Sequence, residues 1–395
     1  MRLINMNRED FKILERVTYL DSACMSLKPK SVVAKMNEYY SDYPACGGRS
    51  HHKLAERVAK ETDAARKNVQ KLVGAKRPEE IIFTRNTTEA INLIANVFPL
   101  QKGDVVLTSD KEHNSNLLPW QLLSERRGVK HEIVSTDGDF AENFEKKITK
   151  NVKLVSLVHT SNVDGTTLPV EKVIKISHDY GAKVLLDAAQ SAPHREINVR
   201  KLDVDFIAAS GHKMLGPTGV GFLYGKYNEL DVLPQFMVGG ETVKNTTYET
   251  RVVEDLPLRF EAGLQDYAGI IGLGEAVNYL ARVGMSKIER NDYELNKMIT
   301  DTLVSHGAEI LGPKDAASRS SIASFNFKNK DAHQIAMLMD SIGNVELRSG
   351  MHCVHSWFNA RKIKGSVRAS TYLYNEKADA EKFAETLGKV LKITG

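Results

Sequence analysis

Five short apolar runs alternate with stretches of helical pattern, and this alternation constrains the fold more than any other feature. They occupy residues 105–108, 154–158, 184–187, 206–209 and 220–224. Strands that alternate with helices form a parallel sheet, because each helix returns the chain to the start of the next strand. The pattern therefore predicts an α/β protein with a mostly parallel sheet.

Helical periodicity is clearest at residues 54–73, 89–97 and 170–180. After residue 263 the pattern changes to one long helix over about 268–290, a strand-like run at 321–327 and a final helix near 378–391. This change predicts a second, smaller α+β domain. We expect a large domain over residues 16–265, with residues 1–15 and 266–395 forming the small domain.

Lys213 follows the run 206–209 after a short polar turn that contains Ser210 and His212. A lysine amine held at a fixed point can form an imine with an aldehyde cofactor such as pyridoxal 5'-phosphate. The serine and the histidine could then hydrogen-bond the phosphate of that cofactor. The alternative is a solvated lysine beside a glycine-marked loop.

Asp187 ends the apolar run 184–187, as expected of a buried strand that delivers a carboxylate at its C-terminal end. A pyridoxal ring withdraws electrons well only while its ring nitrogen is protonated, and a buried carboxylate beside that nitrogen keeps the proton there. Gln190 could reach the phenolate oxygen of the ring. A helix N-cap is the alternative for Asp187 taken alone. The combination with the Lys213 segment favours the cofactor interpretation.

The chain resembles the class V aminotransferase-like pyridoxal phosphate enzymes, and within them the group II cysteine desulfurases, whose relatives include selenocysteine lyases. The resembling segments are 19–23, 84–92, 112–121, 159–162, 348–353 and 367–370. The resemblance implies the fold type I architecture and a homodimer. It also implies conversion of L-cysteine to L-alanine, with the sulfur passed to an acceptor protein for iron–sulfur cluster assembly.

The segment 86–89 combines an asparagine, two threonines and a glutamate at the start of a helical pattern. Backbone N–H groups at a helix N-terminus and short hydroxyls suit a phosphate, although a capping box without a ligand has the same pattern. The resemblance assigns cofactor contacts to Thr87, Thr88, Ser210, His212 and Asn162. It also places the imidazole of His113 on the pyridine ring, where it can move protons.

Cys353 determines which reaction we expect. In desulfurases a thiolate attacks the sulfur of the bound cysteine, and such a thiol needs access and a nearby positive charge or histidine. Arg348, His352 and His355 supply these. A buried core cysteine is the first alternative. A metal site made of Cys353 and the two histidines is disfavoured, because no fourth ligand has suitable spacing.

The resemblance further implies that Arg368 holds the substrate carboxylate through a bidentate pair. It gives Arg348, Asn162 and His52 substrate contacts as well, and His51 could take the place of His52.

Two positions depart from the family pattern. Leu264 stands where the family has a threonine that reaches the phosphate of the neighbouring subunit, and Met351 stands where it has a histidine. Three alternatives therefore stay open: a selenocysteine lyase, an aminotransferase or epimerase in which Cys353 is incidental, and an inactive pyridoxal-binding scaffold.

Composition adds limits on partners and location. The net charge of +4 comes from 54 basic and 50 acidic residues spread along the chain, so it indicates neither a nucleic-acid nor a membrane partner. Three cysteines without a C-x-x-C pair argue against a disulfide framework. Cys24 and Cys46 lie in other segments than Cys353, so we expect neither of them to be placed to attack the substrate sulfur. The N-terminus lacks the apolar core of a signal peptide, so we expect a cytoplasmic protein.

Overall fold

The computed structural model describes residues 8–394. Its strands are β1 Thr18–Tyr19, β2 Ile81–Thr84, β3 Val105–Ser109, β4 Lys130–Val134, β5 Val152–Val158, β6 Lys183–Asp187, β7 Phe206–Ser210, β8 Gly221–Gly225, β9 Val243–Thr246, β10 Arg251–Val253, β11 Glu309–Ile310, β12 Ile322–Asn326, β13 Val345–Glu346, β14 Arg348–Gly350 and β15 Ser366–Ser370. Its α-helices are α1 Lys30–Asp42, α2 Lys53–Val73, α3 Thr87–Val97, α4 Leu118–Arg127, α5 Phe140–Lys147, α6 Val170–Asp179, α7 Val199–Leu202, α8 Tyr227–Asp231, α9 Tyr267–Val283, α10 Met285–Ser305, α11 Ala332–Gly343, α12 His355–Ala360 and α13 Lys377–Thr394.

The large sheet has seven strands in the order β2-β8-β7-β6-β5-β3-β4. Strands β3 to β7 are mutually parallel, whereas β8 runs antiparallel to both of its neighbours. The predicted α/β class with a mostly parallel sheet is therefore confirmed, with the run at 220–224 as its antiparallel member.

Both faces of this sheet are covered, and alternate residues of each strand enter different cores. In β6, Val184 and Leu186 belong to one apolar cluster and Leu185 belongs to the other. Strands buried on both faces have continuous apolar sequences, which is why the apolar runs alone identified five strands of this sheet.

The smaller sheet is antiparallel, in the order β11-β12-β15-β14. It contains the strand predicted at 321–327, and it packs against α10, α11 and α13. In its register Arg348 of β14 lies directly opposite Arg368 of β15. Residues opposite each other in an antiparallel pair project from the same face, so the two guanidinium groups are neighbours.

One helix prediction is wrong. The single helix expected over about 268–290 is two helices, α9 and α10, separated at Gly284, whose φ of 90° is left-handed. Helix α9 packs closely on α2, where a Cβ on Gly274 would lie 2.7 Å from the Cβ of Ala65. Periodicity could not locate the break, because both helices keep apolar residues at helical spacing across it.

The division into residues 16–265 and the remainder stays a prediction. Elements assigned to one part pack against elements assigned to the other. Helix α9 packs on α1 and α2, while β1 pairs in parallel with β13. This pairing brings the turn that follows β1 to the smaller sheet. Within residues 8–394, no helix combines the length and hydropathy needed to cross a bilayer.

Candidate active site

A pocket of about 220 Å³ lies where the C-terminal ends of β6 and β7 meet the smaller sheet. It brings together nearly all of the residues that the sequence singled out. They are Thr87, Thr88, His113, Asn162, Asp187, Gln190, Ser210, His212, Lys213, Arg348, Cys353 and Arg368.

One end of the pocket is formed by the start of α3 and the end of β7. The side chain of Asn86 caps α3 by accepting from the backbone N–H of Glu89 at 3.0 Å. Ser210 Oγ accepts from the backbone N–H of Thr87 at 2.9 Å and lies 2.7 Å from its hydroxyl. A capped helix N-terminus beside two hydroxyl groups has the chemistry of a phosphate site.

Lys213 ends a short 3-10 helix that begins at Gly211, directly after β7. Burial lowers the pKa of the lysine, while the charge of Asp187 acts in the opposite direction. A neutral amine is the form that attacks a carbonyl group, so this environment favours a nucleophilic lysine.

Asp187 is buried at the end of β6, and its carboxylate accepts the backbone N–H of Ala189 at 2.9 Å. Burial raises the pKa of this carboxyl group, and Lys213 opposes the shift. A cationic N–H group bound beside it would stabilise the carboxylate.

Two buried amide oxygens in the pocket have no hydrogen-bond partner among residues 8–394. Gln190 Nε2 donates to the carbonyl of Ala23 at 2.7 Å, and Asn162 Nδ2 donates to the carbonyl of His352 at 2.7 Å. The remaining oxygens, Gln190 Oε1 and Asn162 Oδ1, are unpaired. Because buried polar atoms are normally satisfied, these two indicate that a polar ligand completes the pocket.

His113 is held by Ser115, whose backbone N–H donates to Nδ1 at 3.1 Å. The neutral ring therefore carries its proton on Nε2. Burial lowers the pKa of His113 to about 3, with Lys213 and Arg368 acting in the same direction. Ser115 Oγ lies 2.7 Å from the Thr88 hydroxyl, which links His113 to the end of the pocket formed by α3 and β7.

Arg368 is buried, with only 2% of its surface exposed. It donates to the carbonyl of Asn162 at 2.9 Å and to a carboxylate oxygen of Asp21 at 3.3 Å. Its Nε has no partner among the described residues. Together with Arg348 opposite it, this guanidinium forms a positive wall that suits a carboxylate ligand.

Cys353 lies in the turn between β14 and α12, where it and His352 both have left-handed backbone conformations, with φ of 60° and 50°. The backbone N–H of Asn114 donates to the Cys353 carbonyl at 2.8 Å, so the turn is docked on the loop of His113. Strained conformations of residues other than glycine persist only where their surroundings hold them, and they cluster at functional sites.

The positive group at the Cys353 thiol is Arg348, whose Nη2 lies 3.8 Å from Sγ. The histidines contribute less than expected. His352 is buried against Ser366, and burial lowers its pKa to about 2, so it is neutral. His355 is exposed and accepts from the side-chain amide of Asn114 at 3.0 Å.

Cys24 overturns one expectation. We expected the other two cysteines to lie apart from the site, because they belong to other segments of the sequence. Instead Cys24 lines the same pocket, and its Sγ lies 2.8 Å from Arg348 Nη1. Sequence reasoning also missed Asp21 and Ser115, although both belong to resembling segments. Cys24 directly follows the segment 19–23.

One predicted contact, that of His52, is not brought to this pocket. His52 is exposed and caps α2, where its Nδ1 accepts from the backbone N–H of Ala55. Leu264 is 64% exposed and lies outside the pocket lining. In the described part of the chain, no group of three or more histidine, cysteine and acidic side chains could hold a metal ion.

Comparison with known proteins gives one consistent result. The aminotransferase class-V family model matches residues 18–383. A probable cysteine desulfurase from Synechocystis is 38% identical over 98% of this chain and 95% of its own. The structure of a cysteine desulfurase from Thermococcus onnurineus superposes with a TM-score of 0.95 at 37% identity, covering 99% of each chain.

A cysteine desulfurase from Escherichia coli, in its S-sulfonic acid form, superposes with a TM-score of 0.91 at 31% identity, covering 98% of each chain. Membership of this family implies pyridoxal phosphate as the cofactor. The chain belongs to the class-V aminotransferase family and, within it, groups with the proteins named cysteine desulfurases.

Proposed function

We propose that this chain is a pyridoxal-phosphate-dependent cysteine desulfurase. It would take sulfur from L-cysteine, release L-alanine, hold the sulfur as a persulfide on Cys353 and pass it to an acceptor protein for iron–sulfur cluster assembly. The observation that carries the proposal is a thiol beside a guanidinium, Cys353 Sγ to Arg348 Nη2, in the same pocket as Lys213.

The pocket residues fit the cofactor. Thr87, Thr88, Ser210 and His212 would hold its phosphate, Asp187 its ring nitrogen, Gln190 its phenolate oxygen and Lys213 its aldehyde carbon. The two unpaired buried amide oxygens and the buried carboxylate are the kind of groups that a polar ligand satisfies. When bound, pyridoxal phosphate supplies the electron sink that lets the carbon–sulfur bond of the substrate break.

The remaining steps belong to the side chains. Arg368 would hold the substrate carboxylate, with Asn162 beside it, and so fix which end of the amino acid faces Cys353. His113, neutral and protonated on Nε2, can exchange a proton with a ligand bound in the pocket. Lys213, with its lowered pKa, can accept and return a proton at its amine.

Cys353 takes the sulfur. As a thiolate it attacks the substrate sulfur, a bond between the two sulfurs forms, and the bond from sulfur to the substrate β-carbon breaks. The β-carbon then gains a proton, so L-cysteine becomes L-alanine and the enzyme holds one additional sulfur atom. Arg348 favours this step because a positive charge stabilises the thiolate.

The finer points of the proposal are the homodimer and the roles of His52 and Asn162 toward substrate, which rest on the family resemblance. We propose a cytoplasmic location as well.

The decisive experiment replaces Cys353 with serine in the cofactor-loaded enzyme. We expect cofactor absorbance and cysteine binding to persist, whereas alanine formation falls by about 10²- to 10⁴-fold, because serine oxygen does not attack divalent sulfur. In the unmodified enzyme, mass spectrometry after cysteine addition should find one additional sulfur on the peptide containing Cys353, removable by a thiol reductant.

Other products would identify the alternatives. In the unmodified enzyme, rapid alanine formation from selenocysteine but not from cysteine indicates a selenocysteine lyase. Keto-acid formation without alanine indicates an aminotransferase, and alanine release at the original rate from Cys353→Ser contradicts the desulfurase mechanism.

A further inference from the structure

Two thiols of the pocket share one guanidinium. Arg348 directs Nη1 to Cys24 Sγ at 2.8 Å and Nη2 to Cys353 Sγ at 3.8 Å. The two cysteines are 329 positions apart in the sequence, and both are half-buried and line the pocket. The desulfurase step uses only one of them.

Backbone hydrogen bonds hold the turn that carries Cys24. Its backbone N–H donates to the carbonyl of Asp21, and the preceding N–H, of Ala23, donates to Ser370 Oγ at 2.9 Å. The turn is thereby tied to β15, the strand that carries Arg368. The groups around the Cys24 thiol include Arg348, Arg368, Lys213 and the carboxylate of Asp21.

This environment suits a reactive thiol more than a structural one. Cys24 lines the pocket and is only partly buried, so a reaction partner has access to its thiol. A cysteine that merely filled space in a core would instead be surrounded by apolar side chains. Cys24 contacts the same cation as the proposed sulfur carrier.

We propose that Cys24 is a second sulfur-carrying residue, which receives the sulfane sulfur from Cys353; this rests on the proposed function. The Cys24 thiolate attacks the outer sulfur of the Cys353 persulfide. A bond between that sulfur and Cys24 Sγ forms, the bond between the two sulfurs on Cys353 breaks, and Cys353 leaves as a thiolate. Two thiols and one sulfane sulfur are present before and after, so no oxidant or reductant is consumed.

Arg348 keeps the two thiols close to each other, because its one guanidinium group contacts both Sγ atoms. In a persulfide the outer sulfur lies about 2.05 Å beyond Cys353 Sγ, which extends the reach of Cys353 within the pocket. The departing Cys353 thiolate stays beside Nη2 of Arg348, and the attacking thiolate starts beside Nη1. One cation therefore stabilises the negative sulfur on both sides of the transfer.

The relay has a stoichiometric consequence. Once Cys353 is free again, it can take sulfur from a second cysteine before any acceptor arrives. Each chain should then hold up to two sulfane sulfurs, and without acceptor or reductant it should release about two equivalents of alanine in the first burst.

The test uses the cofactor-loaded enzyme, L-cysteine as the probe and no reductant. Peptide mass spectrometry after rapid alkylation should find additional sulfur on the Cys24 peptide as well as on the Cys353 peptide. In Cys24→Ser, which keeps a polar atom for Arg348, the alanine burst should fall from about two equivalents to about one. The matched control is Cys46→Ser, which removes the cysteine outside the pocket and should keep the full burst.

Each other result overturns the relay. Sulfur confined to Cys353 in the unmodified enzyme excludes Cys24 as a carrier. Sulfur on Cys24 in Cys353→Ser would mean that Cys24 attacks the substrate directly. A disulfide between Cys24 and Cys353, with sulfide released, would mean attack on the inner sulfur. The measurement on the unmodified enzyme decides the matter even if Cys24→Ser does not fold.

The relay and the proposed function fail in different ways. Alanine with sulfur on Cys353 alone leaves the desulfurase proposal standing and removes the relay. No alanine from cysteine removes both.

Discussion

The two sides of the pocket are built in different ways. The floor, defined here as Asp187, Ser210 and Lys213, comes from the ends of two adjacent parallel strands within a short stretch of sequence. The thiol side, defined as Cys24, Arg348 and Cys353, comes from two turns and a strand of the smaller sheet, with 324 positions separating Cys24 from Arg348. The floor is set by local backbone geometry, whereas the thiol side depends on strand pairing between distant parts of the chain.

The difference explains where each side can vary. A strand end in a two-sided sheet is fixed by hydrogen bonds and by packing on both faces, so a residue there has one position. A turn with two successive left-handed residues is held by a few contacts, such as the bond from Asn114 to Cys353. We therefore expect the floor to bind the cofactor independently of the thiol side.

The largest effect is expected at the floor. Lys213→Ala should lower alanine formation by about 10³-fold or more, because the amine is both the attachment point and a proton acceptor. Borohydride should no longer fix the cofactor to the chain, whereas circular dichroism should show the folded protein. Retention of the borohydride-fixed cofactor in this variant would show that another lysine is the attachment point.

Arg368, which lies between the two sides, should give an intermediate effect. Arg368→Lys keeps the charge but loses the paired donors, and we expect KM for L-cysteine to rise about 10- to 100-fold with a smaller change in kcat. Cofactor absorbance should be unchanged, because the floor does not include this residue. Steady-state kinetics on Arg368→Lys and on Arg348→Lys would show which of the two guanidinium groups holds the substrate carboxylate. An unchanged KM in Arg368→Lys removes it from that role.

The smallest effect concerns stability on the thiol side. Burial holds the pKa of His352 at about 2 in the folded chain, below its ordinary value of about 6.5. The unfolded chain therefore gains a proton below pH 6.5 that the folded chain does not, so stability falls as the pH decreases.

From pH 7.5 to pH 5.5, protonation of His352 in the unfolded chain should lower the free energy of unfolding by about 1.4 kcal/mol. In His352→Gln, the decrease in the free energy of unfolding over the same pH range should be smaller by that amount. Urea unfolding of both proteins at the two pH values measures the difference. Equal losses in the two proteins would show that His352 is not kept neutral by the fold.

The sequence by itself determined the floor and five of the seven strands of the large sheet, without β2 and β4. Continuous apolar runs identified β3, β5, β6, β7 and β8, and strand ends placed Asp187 and Lys213 at one edge, because local periodicity and strand direction suffice for both. It did not reveal the helix break at Gly284, since a left-handed residue interrupts the backbone without changing the apolar pattern.

The thiol side was decided by the tertiary structure. Arg348 and Arg368 became neighbours through the register of β14 and β15, and Cys24 reached them because β1 pairs with β13. Neither event leaves a local pattern, since strand register and long-range pairing depend on how the whole sheet packs. A cysteine near the N-terminus therefore carries no sequence signal of the arginine it contacts, because that contact exists only once the two ends of the chain are folded together.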